Sequence, residues 1–455
     1  MSARLPVAVI GAGPIGLAAA AHLLSRGIRP LLIERAPKVG GNIASWRHVR
    51  LFSNWAMNID PAARGLLERA GWKAPDAAQF PSGGELVDEY LEPLARVPQI
   101  AENLKLNTSV KAVTRVGLDR TAREDWRALS PFRLHLSEEG RERYIQASAV
   151  IDASGNLLTP NPLGGEGAAA MGEPEARRFI RYGIPDVEKL EKGSYLGKRT
   201  LVVGSGHSAF NALVALSTLI REDAATRIIW AVRRPDAKSL LGGRSGEPLE
   251  ARTRLTDSVR EMLARGSLSV ETDFWLTHLK RSSDGITAYD EDRALPVVDQ
   301  IICATGYRPD LSMLRELQLS LDPVFECPKQ LAELVDARRF PCGSAPAHGI
   351  EKLVHPETGF FVVGSKSYGR ASTFLLTSGY EQVRSIAAAL AGDRESSLRT
   401  EITMPAGSCG GDCGTGCCTT ETGSGGCGTS GCGAGGGCCA PSPKAQRPSR
   451  ASTSV

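Results

Sequence analysis

The segment VAVIGAGPIGLAAAAHLLSRGIRPLLIE, residues 7–34, constrains this chain more than any other. An apolar run, Val7 to Ile10, enters Gly11-x-Gly13-x-x-Gly16; a stretch rich in Ala and Leu follows, then a second apolar run ending on Glu34. That order predicts strand, tight turn, helix and parallel strand, the unit in which a dinucleotide rests on a helix N-terminus. Gly11 allows the turn, Gly13 lets backbone approach a pyrophosphate, and Gly16 lets the helix pack on the strand. Pro14, in the same turn, is a candidate cofactor contact. The free N–H groups and the positive dipole end of that helix would face the phosphates. Glu34, 23 residues after Gly11, is placed to accept from a ribose hydroxyl.

A chain of 455 residues holds two or three domains with large cores. A net charge of +4 over that length gives no reason to expect nucleic acid or a membrane surface as partner. No uninterrupted apolar run reaches the about 18 residues of a spanning helix. The chain enters its first strand almost at once, without a basic region and cleavage site, so the cytoplasm is the expected location. Both a monomer and a homo-oligomer stay open.

Beyond Glu34, Gly40 and Gly41 suit a loop bending around a ligand, followed by the mixed segment NIASWRHVRLFSNW. Ser82-Gly83-Gly84-Glu85 reads as a helix start, the helix running to about Arg96. The run YIQASAVID ends at Asp152-Ala153-Ser154-Gly155, another strand meeting small residues, with Gly155 a candidate cofactor contact. Lys198 to Arg234 repeats the opening logic: strand RTLVVG, then Gly204-x-Gly206-x-x-Ala209, a helix through Ile220, and strand RIIWAV. Ala209 replaces the third glycine, as the fingerprint permits. His207 and Ser208, at the helix start, are expected to cap or contact the second pyrophosphate. No acid ends this second strand; Arg233 and Arg234 stand there, and guanidinium groups at that place suit a 2′-phosphate. The first site therefore prefers a nucleotide with a free ribose, and the second prefers NADP(H).

A third pattern, DQIICATGYRPD at 299–310, is an apolar strand stopping at Ala304-Thr305-Gly306, where small residues let backbone approach a cofactor. A fourth, GFFVVGS at 359–365, precedes a helix expected from about Ser372 to Ala391, whose N-terminus would face a reducible ring; Gly364 and Tyr368 are candidate cofactor contacts there, with Arg370 beside them. Arg47, His48 and Arg50 read mainly as a solvated loop, with a contact to substrate or nicotinamide left open. His348 and His355 lack metal spacing, and Cys303 reads as a buried structural thiol.

Eight of the eleven cysteines lie between Cys409 and Cys439, in a Gly-rich segment that has too little apolar surface to fold alone. The adjacent pairs Cys417-Cys418 and Cys438-Cys439 are the candidate ligands for a thiophilic ion: zinc, copper(I), mercury(II) or trivalent arsenic. Disulfide exchange with a redox centre, or an extension without defined chemistry, stays open beside that.

With both glycine fingerprints and the CATGYRPD stretch, the chain resembles the flavin-containing monooxygenase-like branch of two-dinucleotide-domain flavoproteins over roughly residues 5–395. The resemblance implies an α/β fold with an FAD-binding domain in two parts (1–162 and 301–395), an inserted NADPH-binding domain (163–300) and a Gly/Cys-rich tail (396–455). It implies FAD at Gly11, Gly13, Gly16 and Glu34, and NADPH at Gly204, Gly206, Arg233 and Arg234; Pro14, Gly41 and Gly155 are further candidate cofactor contacts. It implies reduction of FAD by NADPH, then oxygenation by a flavin peroxide of a small soft nucleophile such as N, S or a metalloid. Asn54, in LFSNW, stands where such enzymes carry a catalytic Asn. The segment FIRYGIPDVEKLEKGSYLGKRTLVVG lacks the His of the monooxygenases' FxGxxxH. Two other classes stay open: an NADPH-dependent reductase of disulfides, metals or metalloids using the tail thiols, and a flavoprotein that binds or senses soft metals.

Overall fold

The computed structural model describes residues 5–236, 241, 250–336, 346–371 and 374–402. In chain order the strands are β1 (Val7–Ile10), β2 (Pro30–Ile33), β3 (Leu104–Lys105), β4 (Thr108–Arg115), β5 (Phe132–Glu138), β6 (Arg141–Ala147), β7 (Ala149–Asp152) and β8 (Ile180–Tyr182). They continue with β9 (Arg199–Val203), β10 (Arg227–Ala231), β11 (Ser269–Glu271), β12 (His278–Ser282), β13 (Gly285–Tyr289), β14 (Gln300–Cys303) and β15 (Phe360–Val362).

Two five-stranded parallel sheets carry the architecture, in the orders β15-β7-β1-β2-β3 and β11-β10-β9-β14-β8. Their central strands read as continuous apolar runs because helices cover both faces: every residue of β1 and β7 is buried. The Pro14–Leu24 helix packs on the first sheet through Ala and Leu side chains that are fully buried, beside the Leu376–Leu390 helix. Each fully buried Leu or Ile there contributes about 1.5–3 kcal/mol. The His207–Glu222 helix does the same on the second sheet, through Ala209, Leu213 and Leu216. An antiparallel β4-β5-β6 sheet and a β12-β13 hairpin complete the strands.

The run YIQASAVID divides at Ser148, giving β6 to the antiparallel sheet and β7 to the first parallel sheet. The helix after Ser82 is also broken up. A capping box, Ser82 with Glu85, starts a helical turn, the backbone widens to a π-helix over Leu86–Leu91, and an α-helix resumes at Glu92–Arg96. The last long helix starts at Leu376 rather than near Ser372, which lies outside the described residues.

The two sheets are joined by a neck in which residues 156–161 run beside 304–308. Asn161 N donates to Gly306 O at 2.9 Å, and Arg308 N donates to Thr159 O at 3.0 Å. Strand β14 hydrogen-bonds to β8 and β9, so the return to the first sheet comes after Cys303 and not at residue 301. No helix among the described residues is long and apolar enough to cross a membrane.

Candidate functional site

At the end of β1 the glycine turn has the geometry its spacing predicts. Gly11 has φ +96°, and a Cβ there would lie 2.8 Å from the Ala153 carbonyl oxygen. A Cβ on Gly16 would lie 1.9 Å from the Gly11 carbonyl oxygen, so only glycine lets the helix sit this close to the turn. A Cβ on Gly13 would meet nothing within 4 Å. Gly13 borders a cavity of about 220 Å³ that Pro14, Glu34, Gly41, Gly155 and Gly364 also line. Glu34 is almost completely buried; one carboxylate oxygen accepts from Ala12 N and the other from Ala36 N, both at 2.8 Å. A carboxylate has about four acceptor positions, so two remain for hydroxyl groups.

The sheet order sets the shape of this cavity. The C-terminal ends of β2, β1, β7 and β15 stand side by side, and each sends its following loop into the lining: Glu34, Gly11–Gly13, Ser154–Gly155 and Gly364–Ser365. Ligands in open parallel sheets bind beyond the carboxyl ends of the strands. An acid at one end, a bare helix N-terminus next to it and a row of small residues beyond fit an extended dinucleotide.

Two connections behind the lining were not visible in the sequence. Lys366 and Asp152 form a buried ion pair at 2.7 Å; the ammonium also donates to Ser154 Oγ at 3.1 Å, and that hydroxyl donates to Asp152 Oδ1 at 2.6 Å. On the other side, Gly364 N donates to Gln382 Oε1 at 2.8 Å, which turns Gln382 Nε2 toward His348 Nε2, also at 2.8 Å. His348 Nδ1 then donates to the Pro346 carbonyl at 2.9 Å, and Nε2 is the acceptor of a neutral ring. Burial pushes the His348 pKa down, in keeping with that neutral form.

The second glycine turn is built differently. Gly204 has φ +131°, and a Cβ there would lie 2.3 Å from the Ala304 carbonyl oxygen. Trp230 Nε1 ties the Gly204 carbonyl at 2.7 Å, while a Cβ on Gly206 would meet nothing within 4 Å. Ala209, in the third position, is fully buried without a clash. His207 and Ser208 open the following helix half-buried, and the His207 ring lies 5.3 Å from Phe52 of the first glycine domain. Arg233 and Arg234 are exposed at the end of β10. Arg233 donates to the Gly165 carbonyl at 2.8 Å and lies 5.5 Å from the Trp275 ring.

Several expected site residues do not line the first cavity. Thr305 and Gly306 belong to the neck: Thr305 Oγ1 donates to the Asn161 carbonyl at 2.9 Å, and Asn161 Nδ2 returns a bond to Thr305 O at 3.1 Å. Their small size serves the close pairing of two chain segments and not the first cavity. Tyr368 is fully buried behind Phe374, ring to ring at 5.2 Å, and burial pushes its phenol up to about 12. Phe374, not Tyr368, lines the cavity. Asn54 caps the short Trp55–Asn58 helix, its side chain accepting from Met57 N at 3.2 Å. Cys417, Cys418, Cys438 and Cys439 lie outside the described residues.

Arg47, His48 and Arg50, expected in a solvated loop, line a second and larger cleft of about 830 Å³ together with residues 184–191 and the Asn211–Ala215 part of the second glycine helix. Their neighbours Trp46 and Leu51 line the first cavity, so this one loop forms a partition between cavity and cleft.

Residues 8–327 match the model of the pyridine nucleotide-disulphide oxidoreductase family. The chain is similar to flavin-containing monooxygenase 3 of Oryctolagus cuniculus, 20% identical over 347 residues that cover 66% of this chain and 62% of that protein. It thus spans less than two thirds of that relative's length. It is also similar to ferredoxin–NADP reductase of Salinispora arenicola, 26% identical over 325 residues, covering 70% of this chain and 79% of that one. Among solved structures it is similar in fold to bacillithiol disulfide reductase from Bacillus cereus, with a TM-score of 0.60, 18% identity, and coverage of 86% and 99%. A family match over most of the chain, on two parallel sheets that each end in a glycine turn, shows that this chain belongs to the pyridine nucleotide-disulphide oxidoreductase family.

Proposed function

We propose that the chain is an FAD-dependent, NADPH-oxidising oxidoreductase that oxygenates a small soft nucleophile: an amine nitrogen, a thioether sulfur or a metalloid. FAD is assigned to the first cavity, with Glu34 on the adenosine ribose, Gly13 and the helix N-terminus on the pyrophosphate, and the β7 and β15 ends under the flavin half. NADPH is assigned to the second turn, with Gly204, Gly206, His207 and Ser208 at the pyrophosphate and Arg233 and Arg234 at the 2′-phosphate. Bound FAD supplies electron acceptance from NADPH and reactivity toward O2. The chain's own part is to hold the two nucleotides at separate sheets and to wall the first cavity from the cleft with the Trp46–Leu51 loop. We divide the chain accordingly, with the first domain in two parts on either side of 163–303.

The observation that carries oxygenation over thiol chemistry is the state of the two cysteines among the described residues; Cys342 lies outside them. Cys303 and Cys327 are buried, and burial pushes their thiols up to about 11 and about 12. Cys303 is further held by Thr305 and Asn161 in the neck. A thiol that keeps its proton at neutral pH is a poor nucleophile. The test is a panel of amines, thioethers and arsenite with NADPH under labelled O2. One labelled oxygen atom in a product for each NADPH consumed is expected; turnover that needs no O2 overturns the reading.

A second reading rests on the relatives: the reductase of Salinispora arenicola is matched over more of its length than the monooxygenase. In that reading the tail cysteines carry electrons to a disulfide, metal or metalloid. Truncation at Gly407 separates the two, since it abolishes turnover only in the reductase.

A further inference from the structure

We infer that Lys366 and Asp152 are a positioning pair for the flavin half of the dinucleotide. This rests on the assignment of FAD to the first cavity. Glu34 at β2 and the glycine turn at β1 take the ribose and the pyrophosphate, and β3 lies beyond β2 on the far side. The remainder of the molecule therefore runs over the ends of β7 and β15. Ser154 and Gly155 line the cavity from β7, and Gly364 and Ser365 line it from β15. The Lys366–Asp152 bond joins those two loops directly beneath their lining residues, and the Lys366–Ser154 bond holds the lining residue itself.

Stability alone does not account for such a pair. Both side chains are essentially inaccessible, 1% and 0% exposed, and desolvating two charges offsets most of their attraction. An apolar pair of similar volume would hold β7 to β15 as well, as the neighbouring Ile151 and Phe361 contacts already do. What an apolar pair cannot do is fix the Ser154 hydroxyl and two loop backbones in one orientation. Asp152 accepts from Ser154 N, from Ser154 Oγ and from Lys366, so one carboxylate sets both loops. Backbone around a positive-φ glycine, Gly155 at +72° and Gly364 at +69°, needs such restraint to present a single surface.

The test compares Lys366→Met, the double variant Asp152→Asn/Lys366→Met, and Arg127→Met. Arg127 belongs to another buried ion pair, with Glu357, at the opposite end of β15. FAD affinity of the full chain is read by fluorescence of released FAD on dilution, alongside the visible spectrum and the melting temperature. Lys366→Met is expected to weaken FAD binding by about tenfold or more. The double variant is expected to regain stability without regaining FAD affinity, while Arg127→Met loses stability without a selective loss of FAD. Recovery of FAD affinity together with stability in the double variant overturns the inference alone. Wild-type protein that takes up no FAD overturns the inference and the assignment beneath it.

Discussion

At the end of β1 the glycine turn opens into a cavity lined from four strand ends, whereas at the end of β9 it opens beside a strand end whose two arginines are exposed. The two turns share a Gly-x-Gly opening whose first glycine has positive φ, Gly11 at +96° and Gly204 at +131°; the third position and the chain beyond it differ. In the first, the acid is buried and fixed by two backbone amides, and the opposite wall is locked by Lys366–Asp152 and by Gln382. In the second, the cations reach from the surface, and Arg233 rests on the Gly165 carbonyl. A ligand whose partners are buried and already oriented leaves slowly, because less ordering remains to be done on binding. Under the proposed assignment, this suits the first site to a resident cofactor and the second to one that exchanges each turnover.

The contrast breaks most severely at the third glycine. Gly16→Ala puts a methyl group 1.9 Å from the Gly11 carbonyl oxygen, so the helix must move; overpacking of this kind costs about 1–3 kcal/mol, and flavin content should fall to background. Ala209→Gly, at the matching place of the second turn, should cost only about 1 kcal/mol from helix propensity and leave NADP+ binding in place. Absorbance of the purified variants near the flavin band and their melting curves check both.

Next in size is Glu34→Gln. The amide turns an N–H toward Ala12 N or Ala36 N, so one charged hydrogen bond worth about 1.5–3 kcal/mol is lost. FAD affinity is expected to drop roughly tenfold to hundredfold by that same range, with NADP+ affinity unchanged. The paired change Arg233→Ala/Arg234→Ala should do the reverse: KM for NADPH rises about tenfold, KM for NADH stays, and flavin content stays.

Acid should also separate the sites. The folded His348 is neutral and its pKa lies below the usual value of about 6.5, so its contribution is present above that pH and is lost as pH falls below it. His355, pushed down to about 4 by burial, adds to the same loss between about 6.5 and 4. Protonating His348 Nε2 breaks the bond from Gln382 that holds Gly364. Flavin release on acidification is expected before loss of NADP+ binding, and His348→Gln should shift that release. The smallest effect belongs to Asn54→Ala, which removes a helix cap worth about 1 kcal/mol and should change turnover little.

Much of this was legible because the constraints are local. Gly11, Gly16 and Gly204 show where they stand by spacing, since a turn and a close helix approach involve a few neighbouring residues. Glu34 follows from the same unit. Lys366, 214 residues from Asp152, carries no such mark, nor does Gln382 beneath Gly364. Thr305 and Gly306 show the limit of such marks: small residues after a strand permit close approach, but the sequence does not say to what. Here the neighbour is Asn161. Arg47 and Arg50 read as a solvated loop because their wall of the cleft is completed by a segment more than 130 residues away.

The most direct test of a resident FAD and an exchanging NADPH is anaerobic mixing of the purified yellow protein with NADPH, or with NADH, while the flavin absorbance is recorded. Rapid bleaching by NADPH at a rate that saturates with its concentration, and much slower bleaching by NADH, is the predicted result. A protein purified without flavin, or one bleached equally by both nucleotides, contradicts it.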